Sequence, residues 1–472
     1  MHAPLSHWIG LLLLGAGPIY DTAVPSGEID WTARIQQLEA ETQALRSEVS
    51  TLRAQQGPLM ETPVSPPLAN DYSSSLADPM LSPAPSMDQV RAEIQKNAWK
   101  KGDFTIKPYG ILWATASYET SRTFVGDYVM YVYPDSLEGE PAFHTDARST
   151  RLGLDIGGPR IPFFCCAQSG GKVEIDFQRS IDSENKASVL LRHAYFEIKN
   201  EEFRLLAGQT WDVISPLYPG TLMYSVGWGG GNIGYRRAQF RADRYMALTD
   251  TFLLTAQGSI NTDITSDVAT NLYADHAAWP VIEGRLGTTL GPRGRGCRPI
   301  EFGVSGHIGE QVFDFRAPTW ANPVDDLARR TWSLNADIRI PITCRFGVQA
   351  EFFTGENLGA YLGGILQGID MGTPTTPGTR EPIRSTGGWV DVWYDWTPRL
   401  HSHVGYSIDD PVDADVTVGR IYNSFWFANV SYDVTSKFLV GVEVMPWRTF
   451  WKGNGYSNGE SFYTGFTAKY NF

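Results

Sequence analysis

The chain has 472 residues, a formal net charge of −13 and only 19% charged residues, yet 47 Gly, 21 Tyr, 23 Phe and 15 Trp. The acidic balance excludes the basic face that a nucleic-acid binder needs. No run of about 18 apolar residues exists to cross a bilayer as a helix, and the composition suits strands, turns and aromatic belts better than a helical enzyme.

Residues 1–25 read as an export signal. Trp8–Gly17 has the length of a signal-peptide core, although His2 and His7 stand where Lys or Arg is usual, and Pro18 disfavours cleavage after Gly17. Over residues 28–56, Trp31, Leu38, Leu45 and Leu52 recur every seven residues, with Ile35, Thr42 and Val49 at the companion position. Such a pair of seams predicts a coiled coil through which copies of the chain associate. Arg34 with Glu39, Glu41 with Arg46 and Glu48 with Arg53 set opposite charges at the flanking positions. The alternative is a single amphipathic surface helix. β-branched residues at a with Leu at d point to a dimer, but Thr42 and Trp31 blur that signal, so the subunit number stays open. Residues 57–101 form a linker: Gly57–Pro85 is dense in Pro and Ser, and Ser86 with Gln89 resembles a capping box opening a short helix.

From residue 102 to 472 the pattern turns to period two. Phe462, Thr464, Phe466, Ala468, Tyr470 and Phe472 make one lipid-tolerant face, with Tyr463, Gly465, Thr467, Lys469 and Asn471 between them. Similar alternation predicts sixteen strands starting near Phe104, Thr150, Lys172, Val189, Phe203, Gly234, Tyr245, Trp279, Ile300, Thr331, Arg345, Gly388, Leu400, Tyr422, Lys437 and Ser461. A soluble sandwich would also alternate. The links separate the two readings: those after even strands are mostly tight, as at Asn200-Glu201 or Thr397-Pro398, and those after odd strands are mostly long, as at 212–233 or 355–386. Short inner turns and long outer loops are what an all-β transmembrane antiparallel barrel inserted from one side requires. Phe466, Tyr470 and Phe472 then form a terminal signal for the barrel-assembly machinery. The chain is expected in a bacterial outer membrane, contacting its lipid, with the N-terminal arm in the periplasm.

Cys165, Cys166, Cys297 and Cys344 fall in turns on the short-turn side. Cys297 and Cys344 lie in successive turns and are placed to bridge; free thiols are the equal alternative. Without CxxC spacing or clustered histidines, no metal site is expected, and nothing calls for a cofactor.

"STRLGLDIGG" (149–158), "LLRHAYFEI" (190–198), "RLLAGQTWDVISPLYP" (204–219) and "GYRRAQFRADRY" (234–245) resemble the DcaP-like porins. That resemblance implies a homotrimeric sixteen-stranded barrel with an N-terminal periplasmic coiled coil, passing small anions such as dicarboxylates.

A pore is selected by charges at its narrowest ring. Arg237 and Arg241 share the face of Tyr235 and Gln239 on the sixth strand, so both are expected to point inward. Arg151, Arg285 and His193 join them as pore-lining candidates for anion selectivity, while a wall of mixed, mutually paired charges is the competing reading. Arg192 falls on the nominally outward face. The 355–386 loop either folds inward or stays on the surface. Asp409, Asp410, Asp413 and Asp415 either hold Ca²⁺ or form a solvated acidic loop, the second being favoured. No nucleophile motif accompanies the histidines, so an enzyme is not expected. The rival to a porin for small hydrophilic solutes is a structural tether or adhesin acting through the coiled coil.

Overall fold

The computed structural model describes residues 98–164, 167–179, 187–264, 273–275, 277–291, 298–315, 324–373 and 375–472. The signal-like segment, the heptads from Trp31 to Leu52, the linker through Asn97, and Cys165, Cys166 and Cys297 lie outside these residues.

Alternating sequence becomes antiparallel strand. The first eight of the barrel are β1 (Phe104–Glu119), β2 (Arg151–Ile161), β3 (Ala167–Asp176), β4 (Leu190–Lys199), β5 (Phe203–Trp211), β6 (Arg236–Thr249), β7 (Phe252–Asn261) and β8 (Val281–Leu290). The second eight are β9 (Ile300–Phe315), β10 (Val324–Pro341), β11 (Phe346–Glu356), β12 (Arg384–Thr397), β13 (Leu400–Pro411), β14 (Gly419–Thr435), β15 (Phe438–Lys452) and β16 (Gly459–Asn471). Each pairs with its sequence neighbour, and Ile111–Glu119 of β1 pairs with Asn471–Tyr463 of β16, so these sixteen strands close on themselves. Gly110 and Phe472 exchange both backbone hydrogen bonds, 3.2 and 3.0 Å, finishing the seam at the last residue. Closure leaves no sheet edge unpaired, the condition for a sheet surrounded by lipid.

The two faces divide as the period-two pattern predicts. On β16, Phe462, Phe466 and Tyr470 are 47–48% exposed, while Tyr463, Thr467 and Lys469 between them are at most 7% exposed. Outward Leu334, Val392, Val430 and Val442 continue the apolar surface on other strands. Several short turns share one chemistry. The hydroxyl of Thr343, Thr397 or Thr435 accepts the backbone N–H groups two and three residues later, and the Asn200 carbonyl oxygen does the same for Glu202 and Phe203. These side-chain acceptors fix the hairpins without glycine. Cys344, in the turn opened by Thr343, is disulfide-bonded.

Three details depart from the sequence reading. The predicted seventh start, Tyr245, lies inside β6, which runs on to Thr249 and turns at Asp250-Thr251; Asp243 and Tyr245 simply extend the inward face. β10 begins at Val324 rather than Thr331, because Arg330 to Ala328 extend the ladder with Glu310 to Val312 of β9. Arg192 is buried inside the barrel rather than outward. The β3–β4 register shifts between Glu174 opposite His193 and Ile175 opposite Leu191, and the extra residue so accommodated is Arg192. A bulge of this kind turns two successive side chains to one face, which a strict period of two misses.

Candidate channel and its constriction

Three outer connections bend into the barrel. Residues 212–235, after β5, leave the wall at Asp212 and run past the inner faces of several strands. Their amides are received by inward carboxylates: Val213 by Glu283 of β8 (2.8 Å), Leu217 by Glu351 of β11 (2.7 Å), Gly220 by Asp391 of β12 (2.9 Å) and Leu222 by Glu443 of β15 (2.9 Å). The Tyr224 hydroxyl then donates to Asp176 of β3 at 2.7 Å. Pro216 and Pro219 suit an extended path without local hydrogen bonding, since neither carries an N–H. A non-regular segment inside a barrel must find acceptors for its amides, and the wall carboxylates supply them. The return uses glycine. Gly231, at φ +130°, would place a Cβ 2.5 Å from the Gly388 carbonyl and 2.7 Å from that of Ile408, so only a bare backbone fits there.

Residues 357–370, after β11, also turn inward, while Thr375, Thr376, Thr379 and Glu381 farther along the same loop are exposed. Ile365 donates its amide to Asp409 (2.9 Å), and the Ser385 hydroxyl donates to the same carboxylate (2.6 Å). Tyr361 is fully buried, with His307 of β9 stacked on it at 3.9 Å and the Arg237 guanidinium carbon 3.6 Å from its ring centre. The third inward piece is a ribbon of Thr123–Val125 and Val129–Val132.

Together these pieces build a hydrophobic core within the lumen. Tyr128 to Val132, Met223, Tyr224, Trp228, Leu362, Ile365 and Leu366 pack on inward Phe425, Phe427, Met445, Trp447 and Tyr463 of β14–β16. That side of the barrel is filled. Along β3 to β9 a recess of about 150 Å³, open to solvent, remains; its charged lining is Lys172, Arg204, Arg241 and Arg285 with Asp212 and Glu301, and His193, Tyr195, Trp211 and Tyr218 also border it. Behind these cations stand carboxylates in the wall. Arg241 donates through Nε to Asp243 (2.8 Å), Arg204 to Glu197 (2.6 Å), and Arg285 grips Asp337 with two nitrogens (3.0 and 2.6 Å). Lys172 lies 3.4 Å from Asp155.

The candidates chosen from sequence therefore separate. Arg241, Arg285 and His193 line the recess. Arg237 is inward but 2% exposed: it is ion-paired to Asp212, donates to the Ala360 carbonyl (2.6 Å) and clasps the two inward segments together. Arg151 sits elsewhere on the wall, its guanidinium 5.4 Å from the Trp113 ring centre. Phe466, Tyr470 and Phe472 face outward. Sequence reasoning passed over Lys172 and Arg204, whose alternation on β3 and β5 carried the signal, and the wall carboxylates Glu351, Asp391 and Glu443. It also passed over the inward aromatics of β14–β16, a face too apolar for a water-filled wall. The acidic cluster at 409–415 disperses: Asp409 holds the inward loop, Asp415 pairs with Arg384 at 2.7 Å, and no group of metal ligands forms among the described residues.

No protein-family model and no curated protein sequence matches the chain. Solved structures do. The outer membrane channel DcaP of Acinetobacter baumannii is 19% identical over 79% of this chain and 99% of that one, with a TM-score of 0.59. The anion-selective porin from Comamonas acidovorans is 10% identical, covering 78% of this chain and all of that one, and Salmonella typhi OmpF, solved with daunomycin, is 12% identical over 79% and 100%; each has a TM-score of 0.50. The fold is that of the outer-membrane porins, a closed sixteen-stranded antiparallel barrel.

Proposed function

We propose that the chain is an outer-membrane porin of the DcaP-like type, letting small hydrophilic anions such as carboxylates diffuse through the β3–β9 side of its barrel. The observation that carries this reading is the recess lining, where four cationic side chains meet two carboxylates. Cations held at fixed positions by wall carboxylates present their remaining donors to a solute without reorganising. Arg241, Arg285 and His193 line the path in this reading, and Arg151 and Arg237 act from positions behind it. No catalytic chemistry is required of any of them.

The same proposal includes a homotrimer, an exported chain whose residues 28–56 form a periplasmic coiled coil joined by the 57–101 linker, and delivery by the barrel-assembly machinery through Phe466, Tyr470 and Phe472. The heptad spacing, the terminal aromatic pattern and the outward apolar surface support these parts.

Single-channel recording of the purified full chain in a planar bilayer, under a salt gradient, tests the reading. Closure in three equal steps with a reversal potential favouring anions is the expected result. Preference for cations removes the role given to Arg241 and Arg285. Folded protein that never conducts favours the tether, whose own test is Leu38→Asp with Leu45→Asp: loss of attachment with the barrel intact.

A further inference from the structure

Arg236 opens β6 beside Arg237 and is 3% exposed. Its guanidinium carbon lies 4.6 Å from the Trp211 ring centre, 4.7 Å from that of Tyr235 and 5.9 Å from that of Trp228. The other buried arginines nearby are neutralised: Arg192 by Glu174 and Asp176, Arg237 by Asp212. Arg236 is not. Its Nε, Nη1 and Nη2 find no acceptor among the described residues, and the buried Trp228 indole N–H is in the same condition. Aromatic faces attract a cation but accept little from its N–H edge, so a box of rings leaves the donors unsatisfied. A buried charge without a counter-charge is costly, and groups lacking lone-pair partners call for an anion. Two walls of the box, Trp211 and Tyr235, also line the solvent-open recess, which Arg236 itself does not border.

The geometry points to a carboxylate-binding subsite at Arg236, walled by Trp211, Tyr235 and Trp228 and reached from the recess when the two shared rings, Trp211 and Tyr235, swing aside. A carboxylate matches the guanidinium fork with two parallel acceptors, and the ring faces keep competing water away from the pair. This deepens the reading of the recess as an anion path and rests on it.

Titration of the full chain in detergent with sodium acetate, against sodium chloride at equal ionic strength, tests it through tryptophan emission. The wild-type chain is expected to show a saturable change with acetate that chloride does not reproduce. In Arg236→Gln the half-saturation rises about tenfold or more, the equivalent of losing one charge-assisted hydrogen bond. Arg236→Lys keeps the charge without the fork, so it should fold as wild type, checked by heat-modifiable mobility, and bind more weakly than wild type. A response that survives in Arg236→Gln, or that chloride matches, overturns the subsite. Absence of any acetate response in folded wild-type chain does so too. The titration does not depend on conduction: saturable, Arg236-dependent binding in a channel without anion preference keeps the subsite and removes the transport reading, and the reverse pairing removes the subsite alone.

Discussion

Arg237 and His307 sandwich the ring of Tyr361. With the guanidinium carbon 3.6 Å and the imidazole 3.9 Å from the same ring centre, the two must occupy opposite faces. The Tyr361 hydroxyl adds a bond to Glu283 at 3.2 Å, so one side chain locks the buried stretch 357–370 to β6, β8 and β9. Tyr361→Ala removes a buried ring and its cation contact, a loss of about 3–5 kcal/mol of local stability by analogy with other aromatic truncations. The expected readout is higher and noisier single-channel conductance, as the inner segment leaves the wall. Tyr361→Phe keeps the sandwich and should conduct much as wild type. Unchanged conductance in Tyr361→Ala would show that this segment does not limit flow.

Arg237 and Arg241, alike in sequence, should differ in function. Arg237 is buried and held through its two terminal nitrogens by Asp212 and the Ala360 carbonyl, whereas Arg241 meets Asp243 through Nε and borders the recess. Arg241→Gln is expected to shift the anion-to-cation permeability ratio toward cations by about twofold to fivefold at low salt, the scale of one charge acting over a few ångströms of water. Arg285→Gln also unmasks Asp337 and should shift the ratio further. Both shifts should shrink at molar salt, where screening is strong. Arg237→Gln should act on conductance noise more than on selectivity, and reversal potentials for the three variants compare them directly.

The barrel was legible because its rule is local. Alternation along β10, β12, β15 and β16 assigns each residue a face, and turn lengths assign each loop a side. The inner segments were not legible from that rule. Residues 212–235 show no period; what binds them inside is a set of single carboxylates on β8, β11, β12 and β15, far apart in sequence, which register one by one with amides of the segment. Arg192 escaped because one bulged residue inverts its face. Arg237 lies on the inward face of β6, but its burial depends on Tyr361 and Asp212, which no pattern on β6 reveals.

Those carboxylates give a residue-specific expectation. Replacing Glu351 by Ala strips the acceptor from the Leu217 amide, leaving a buried N–H at a cost of about 1–3 kcal/mol. Hydrogen exchange at Leu217 should accelerate accordingly, while Leu222, held by Glu443, keeps most of its protection. Glu443→Ala should reverse that pattern. Glutamine at either position retains a carbonyl acceptor and should cost less than alanine. Equal acceleration along the whole segment in every variant would mean that it opens as one unit rather than contact by contact.

The inward ribbon of Thr123–Val125 and Val129–Val132 carries a pH dependence. Burial, then the nearby Asp146 carboxylate, raises Asp127 to about 6 despite the Arg148 guanidinium 3.0 Å away. Its folded value lies above the unfolded one, near 3.9, so the folded ribbon binds a proton more tightly than the unfolded ribbon does. The resulting stability is fully present below the unfolded value and is lost as pH rises through about 6. Protection of residues 124–132 in hydrogen exchange, corrected for the intrinsic rate, should therefore fall between pH 4 and pH 7. Asp127→Asn mimics the protonated form and should flatten that profile, although it gives up one of the two carboxylates on Arg148; the other, Asp146, keeps the guanidinium paired through Nε. A profile in the variant as steep as in wild type would assign the titration to another group.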